Sequence, residues 1–152
     1  MTSVDQPITS FSGANYFLSN FYPVPAWGGR TVEHYFQAAK SLDTEEQAKV
    51  LAAASPSEAK KLGSKGGVVT LREDWETVKF QVMSDYVALK FKDVALAHRL
   101  RATGTAFLLE GNTWNDKEWG AVLDSKGVWQ GKNYLGVILT SVRSVLNSQV
   151  VR

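Results

Sequence analysis

Cysteine is missing from all 152 residues. Its absence excludes a disulfide framework and any thiolate-bound metal, and it agrees with a reducing compartment. Histidine occurs only as His34 and His98. Two such residues far apart in the chain do not make metal-ligand spacing, so no metal site is expected. An excess of one charge is lacking too: 17 basic and 15 acidic residues leave a net charge of +2. That balance gives no electrostatic ground for a nucleic-acid binder. No apolar run approaches the roughly 20 residues of a membrane-spanning helix. The stretch Met1–Pro7 has neither a basic start nor an apolar core, so no signal peptide is expected and the protein reads as cytoplasmic, with no membrane partner. Internal repeats, low-complexity tracts and linkers are absent. So are the Gly-x-Ser-x-Gly elbow, the Gly-x-Gly-x-x-Gly fingerprint and the phosphate-binding P-loop.

What is present is an ordinary globular balance, 44% hydrophobic and 21% charged, with aromatics in plenty: 5 Trp, 5 Tyr and 7 Phe. The length suits one domain, taken as 1–152 with its core at about 8–147. Its elements read as an α+β fold, mostly helical, with a few short strands. Ile8 to Pro25 reads as short strands and ordered loops, and Trp27-Gly28-Gly29-Arg30 as a turn. Thr31 opens a helix whose Val32, Tyr35, Phe36 and Ala39 recur at helical spacing, while Glu33, Gln37 and Lys40 share another face. A second helix starts near Thr44, with Thr44 and Gln47 as a capping box; a third is capped by Ser55 and stopped by Gly63. Val68 to Leu71 is a candidate strand. The longest helix follows Asp74 to about Phe91, with Trp75, Val78, Val82, Tyr86 and Leu89 as its apolar stripe. Another spans Asp93 to Ala102, Ala106 to Leu109 is a strand or helical turn, and Asn133 starts the last helix. Between Gly111 and Gly131 there is little periodicity, and a loop that long and that rich in Trp is read as functional.

Three polar clusters carry candidate chemistry: Ser19-Asn20-Phe21-Tyr22, the helix face of Glu33, Gln37 and Lys40 with His34 beside it, and Asn115-Asp116 to Trp119-Gly120 followed by Gly131-Lys132-Asn133. Glu33 sits among apolar and aromatic neighbours, where a carboxylate has a partner or a raised pKa. A plain ion pair with Lys40 at a solvated edge is the bland reading. Asp116 is either an Asx-turn acid or part of a pocket with Trp119. His34 reads as a core hydrogen-bonder placed next to the site. Trp75 belongs to an apolar stripe, or offers its face to a nucleobase.

These stretches in order resemble the YbiA-like family, also called NADAR. The resemblance runs from about Phe11 to Arg143. It is carried by Phe17-Leu18-Ser19-Asn20-Phe21-Tyr22-Pro23, Thr31-Val32-Glu33-His34-Tyr35-Phe36-Gln37-Ala38-Ala39-Lys40, Leu71-Arg72-Glu73-Asp74-Trp75, Asn115-Asp116, Trp119-Gly120 and Gly131-Lys132-Asn133-Tyr134-Leu135-Gly136. Each piece is weak alone; the ordered set is specific. The loop Ser64 to Thr70 departs from relatives in lacking their arginines.

The resemblance implies an N-glycosidase, with riboflavin-pathway intermediates or ADP-ribosylated guanine as substrate classes. It implies Glu33, Asp116, Trp75 and Trp119 as the acids and aromatics of the site. Breaking a ribosyl C–N bond builds positive charge on the ribose, which a carboxylate stabilises, and a carboxylate also takes a proton from the attacking water. Glu33 or Asp116 fills that role. Lys40 binds phosphate, holds Glu33, or attacks C1. Trp75 and Trp119 offer aromatic faces, Asn20 and Asn133 hydrogen-bond hydroxyls or phosphate, with Phe21 and His34 nearby, and backbone near Gly120 and Gly131 cradles a diphosphate. No cofactor is called for. The partner is a ribosyl-phosphate or ADP-ribosyl molecule, free or attached to nucleic acid. The alternative is a non-catalytic ADP-ribose or nucleotide-binding module. It would need stacking and phosphate contacts but no carboxylate at the ribose.

Overall fold

Helix caps and helical apolar spacing recur along most of this sequence, and helices are what the chain forms. The computed structural model describes residues 5–149, so the signal-peptide reading of Met1–Pro7 rests partly on residues 1–4, outside the described ones. Among the described residues six α-helices follow in order: α1 Val32–Ala38, α2 Thr44–Leu51, α3 Pro56–Leu62, α4 Trp75–Lys90, α5 Val94–Ala102 and α6 Tyr134–Ser148. One antiparallel hairpin, β1 Val122–Leu123 and β2 Trp129–Gln130, precedes α6. The fold is α+β and mostly helical. No helix among the described residues is long and apolar enough to cross a membrane. The chain divides into two compact units: Asn20–Lys90, and the residues up to Ser19 together with those from Phe91 onward.

In the unit Asn20–Lys90, α1 packs against α2, α3 and α4. Thr31 caps α1 as expected: its hydroxyl accepts the His34 amide while His34 Nδ1 accepts the Thr31 amide. The cap of α2 lies one residue earlier than expected. Asp43 Oδ1 accepts the amides of Glu45 and Glu46 at 2.8 and 3.0 Å, and Gln47, expected to box with Thr44, donates to the Ser41 carbonyl instead. A carboxylate beside the positive helix terminus gains from the dipole as well as the hydrogen bonds, which a threonine hydroxyl does not. Ser55 caps α3, with Pro56 in the first turn.

Val68 to Leu71 is no strand. Its backbone and side chains are taken up elsewhere: Thr70 donates twice to the Glu46 carboxylate, and the Arg72 amide donates to the Lys40 carbonyl at 2.8 Å. Helix α4 begins directly after Asp74, as expected, but the Asp74 carboxylate is gripped by the Arg72 guanidinium. Its buried stripe is Trp75, Met83, Val87 and Lys90, not the expected Val78, Val82, Tyr86 and Leu89. Tyr86 lies at the stripe's flank, stacked on Tyr35 at 5.2 Å, and Leu89 is exposed. The packed face is thus turned by about one residue, and two lysines, Lys79 and Lys90, fall on it or beside it.

In the other unit, Ile8 forms a parallel bridge with Leu108, so Ala106 to Leu109 resolves as extended chain. The expected strands before Pro25 are absent; Gly13–Leu18 is a 3-10 helix, as is Pro25–Trp27 in the neighbouring stretch of sequence. Asp93 caps α5. The hairpin was not evident from periodicity, because its strands are two residues each. Its turn is chemical: Asp124 Oδ1 accepts the amides of Lys126 and Val128, and Gly127 takes φ +77°. Helix α6 buries Leu135, Gly136, Ile138, Leu139 and Arg143. Arg143 is the charged member of this buried face, donating to Thr103 Oγ1 at 2.8 Å and to the Ala106 carbonyl at 3.0 Å.

Candidate functional site

The sequence face of Glu33, Gln37 and Lys40 is a physical array in the unit Asn20–Lys90. Glu33 and Gln37 lie one turn apart on α1, and Lys40 follows in the turn just past its end. Glu33 retains 8% of its surface and Gln37 only 4%. Gln37 Nε2 donates to Glu33 Oε2 at 2.5 Å. Lys40 Nζ donates to the Gly63 carbonyl at 3.1 Å, tying the end of α1 to the end of α3. Burial holds the Lys40 ammonium below its ordinary pKa; the Glu33 carboxylate opposes that shift, and Lys60 and Lys79 add to it. Glu33 is therefore within the electrostatic reach of the cation that follows its helix.

Asn20 is buried; its carbonyl accepts the Glu33 amide at 3.1 Å and its side-chain amide points at Met83 Sδ. Asn20 thus anchors the start of α1 through backbone. Phe21 and Tyr22 are half-buried. His34 is 3% exposed, with Nδ1 on Thr31 and Nε2 within 3.0 Å of the Ala53 carbonyl. Both ring nitrogens are occupied by protein. Trp75 is 5% exposed and packs tilted on Phe36 at 5.0 Å, as a stripe residue does. Lys90, at the end of α4, was not among the site residues expected from the sequence. It is 1% exposed, lies over the Tyr22 ring at 5.7 Å, and burial pushes its pKa down to about 7. The signal for it was the phase of α4: steps of four and three from Trp75 reach Lys79, Met83, Val87 and Lys90.

The other unit holds Asp116, Trp119, Gly120, Gly131 and Asn133. Asp116 Oδ1 accepts the amides of Glu118 and Trp119 at 3.1 and 3.0 Å, an Asx-type turn. Oδ2 has no hydrogen-bond partner among the described residues. The Asp116 backbone is clamped by Asn112, whose side chain donates to its carbonyl at 2.8 Å and accepts its amide at 3.0 Å. Asn112 went unnoticed in the sequence, where an Asn-Thr pair in a loop gives no periodic signal. Trp119 is half-buried, its ring edge-on to Tyr134 at 5.9 Å. Gly120 and Gly131 meet backbone to backbone: a side chain at Gly131 would run into the Gly120 carbonyl, and one at Gly120 into the Glu110 carbonyl. Their lack of a Cβ permits this close approach. Asn133 adopts the left-handed conformation at φ +51°. It accepts the Glu110 amide at 2.9 Å and donates to the Leu108 carbonyl at 2.9 Å. Both ends of its amide are taken up by backbone, whereas contact with hydroxyls or phosphate was expected. Among the described residues no group of three or more His, Asp and Glu gathers to hold a metal ion.

Two acids, set in different units, define what these surfaces offer: Glu33, which accepts from Gln37, and Asp116, whose Oδ1 closes an Asx-type turn. Residues 10–147 match the NADAR domain, and the chain belongs to this family. It is 40% identical over 134 residues to the N-glycosidase YbiA of Escherichia coli, covering 85% of this chain and 80% of that protein. An N-glycosidase from Nostoc punctiforme is 38% identical over 122 residues, with 78% and 74% covered. A riboflavin biosynthesis protein from Vibrio vulnificus is 38% identical over 135 residues, 86% of this chain and 35% of that longer protein. The NMR structure of E. coli YbiA superposes with a TM-score of 0.77 at 34% identity, covering 99% of this chain and 92% of that one.

Proposed function

We propose that this protein is an N-glycosidase that hydrolyses the C–N bond joining a base or amine to a ribose phosphate or ADP-ribosyl group. The observation that carries this reading is the Glu33 carboxylate: buried, yet 8% accessible, held at one oxygen by Gln37. As the C–N bond lengthens, its electrons leave with the nitrogen and positive charge spreads over C1 and the ring oxygen of the ribose. A preorganised carboxylate in a site of low dielectric stabilises that charge without having to reorient. Water then adds to C1 and loses a proton to a carboxylate, and the departing nitrogen gains one. Lys40, just past the end of the helix that carries Glu33, supplies a positive charge for substrate phosphate. Asp116, with Oδ2 unengaged, is the alternative acid for the role of Glu33. The names of the relatives, N-glycosidases and riboflavin biosynthesis proteins, agree with this reaction type and with small ribosyl phosphates as one substrate class.

The test is a turnover screen of the purified protein against phosphoribosylated early riboflavin intermediates and ADP-ribosylated guanosine, following released base and free sugar by chromatography. Release from one class, with 1:1 base and sugar, is the expected result. Saturable ADP-ribose binding with no turnover of either class would establish the binding-module reading instead.

A further inference from the structure

Gln37 is more deeply buried than the acid it touches, and it is chemically half-satisfied. Its Nε2 donates to Glu33 Oε2 at 2.5 Å, while its Oε1 is buried without a hydrogen-bond partner among the described residues. A buried acceptor left unpaired is costly, so an amide here needs a compensating purpose; in a merely structural position an apolar side chain of the same shape would be at least as stable. Gly63 reinforces the point. Its φ of −88° is ordinary for any residue, so backbone conformation does not call for glycine. Space does: a Cβ at Gly63 would overlap Gln37 Oε1 and come within 2.8 Å of Gln37 Cβ. The end of α3 is thus kept bare where the Gln37 amide lies, and the carbonyl of the same glycine accepts Lys40 Nζ. One glycine accommodates the group that holds the acid and binds the lysine that faces it.

We infer that Gln37 is a positioning residue for the reaction, holding the Glu33 carboxyl in one orientation for the ribose through its Nε2 donor. This inference rests on the proposed role of Glu33 in glycosidic cleavage. Gln37 acts through Glu33 and touches no reacting atom. Lys40 follows the helix of Glu33, α3 brings Lys60 and α4 brings Lys79, both acting on Lys40. Lys90 lies on the buried stripe of α4. On α2, Glu45 and Lys49 are exposed and Glu46 is bound by Ser41 and Thr70.

Two near-isosteric variants test it. Gln37→Met removes the donor and keeps the shape; Gln37→Glu puts a second carboxyl beside the first. Losing a donor raises the Glu33 pKa, and a neighbouring carboxylate raises the apparent value of the pair further. The Glu33 carboxyl is titrated by ¹³C NMR, assigned through Glu33→Gln, in a measurement that needs no turnover. The pH dependence of kcat/KM is recorded beside it, with thermal melts. The expected result is a Glu33 titration and an acidic limb of kcat/KM that both move to higher pH, further for Gln37→Glu. Gln37→Met should also lose roughly 100-fold in kcat with KM little changed, as misplacing a reacting group does. A Glu33 titration that stays put in both variants, with only melting temperature changed, overturns the inference. A titration that moves while the acidic limb does not overturns it as well, and removes Glu33 from the reaction. A wild type that turns over no ribosyl substrate would refute the proposed function, and the NMR titration would still decide whether Gln37 sets the state of Glu33.

Discussion

At the scale of single residues, Glu33 and Asp116 differ in how each is held, and that makes them separable. Glu33→Gln keeps an acceptor for Gln37 Nε2 and removes the charge. Activity should fall on the order of 100-fold to 1000-fold, the loss seen for one charge-stabilising group, with the melting temperature unchanged. Asp116→Asn keeps Oδ1 for the amides of Glu118 and Trp119, so the turn should survive and any loss of kcat will report the missing charge. Steady-state rates and melts of the two variants side by side check both statements. Near wild-type rates for Glu33→Gln would remove it from the mechanism. The face of Glu33, Gln37 and Lys40 was legible in the sequence because helical spacing alone places i, i+4 and i+7 together. What spacing does not reveal is occupancy. His34 Nε2 and the amide of Asn133 are taken by Ala53, Leu108 and Glu110, contacts that exist only once distant segments meet.

Among the elements, helix starts were read well where a single residue type fixes them, as at Thr31, Ser55 and Asp93. They were misread where two candidates stand side by side. Asp43 and Thr44 make a direct comparison. Asp43→Ala should cost about 1 kcal/mol, the usual effect of losing an N-cap, and Thr44→Ala should change stability by less than about 0.5 kcal/mol. Urea unfolding of the two variants measures the difference; equal losses would return the cap to Thr44. The phase of α4 was misjudged for a related reason. Val78, Val82 and Tyr86 outscore Lys79 and Lys90 in hydrophobicity, yet packing against α1 selects the face that carries Met83 and Val87. The short hairpin was invisible because two-residue strands leave no alternation to detect.

For the molecule as a whole, burial of Lys90 couples stability to pH. With its pKa lowered from 10.5 to about 7, the folded protein binds fewer protons than the unfolded chain between those values. Stability therefore rises with pH across that window, and the penalty is fully present below about pH 7. Lys90→Met should be more stable than wild type at pH 6, with the gap closing by pH 10; a constant gap in denaturant melts would contradict this. On the acid side, hydrogen bonds hold Asp5, Glu46 and Asp124 below their ordinary values, so their contribution fades as pH falls through those depressed values. Asp5 has a further significance that concerns time. It accepts the backbone amide and the hydroxyl of Thr105, a residue 100 positions later, and Ile8 pairs with Leu108. On a ribosome adding about 5–20 residues per second, Asp5 waits roughly 5–20 s before its partner is even made. The stretch from Asn20 to Lys90 contains its own contacts and is finished before that moment. The Asp5–Ile8 segment is thus made well before its partners and finds its place only after the stretch Asn20–Lys90 is complete.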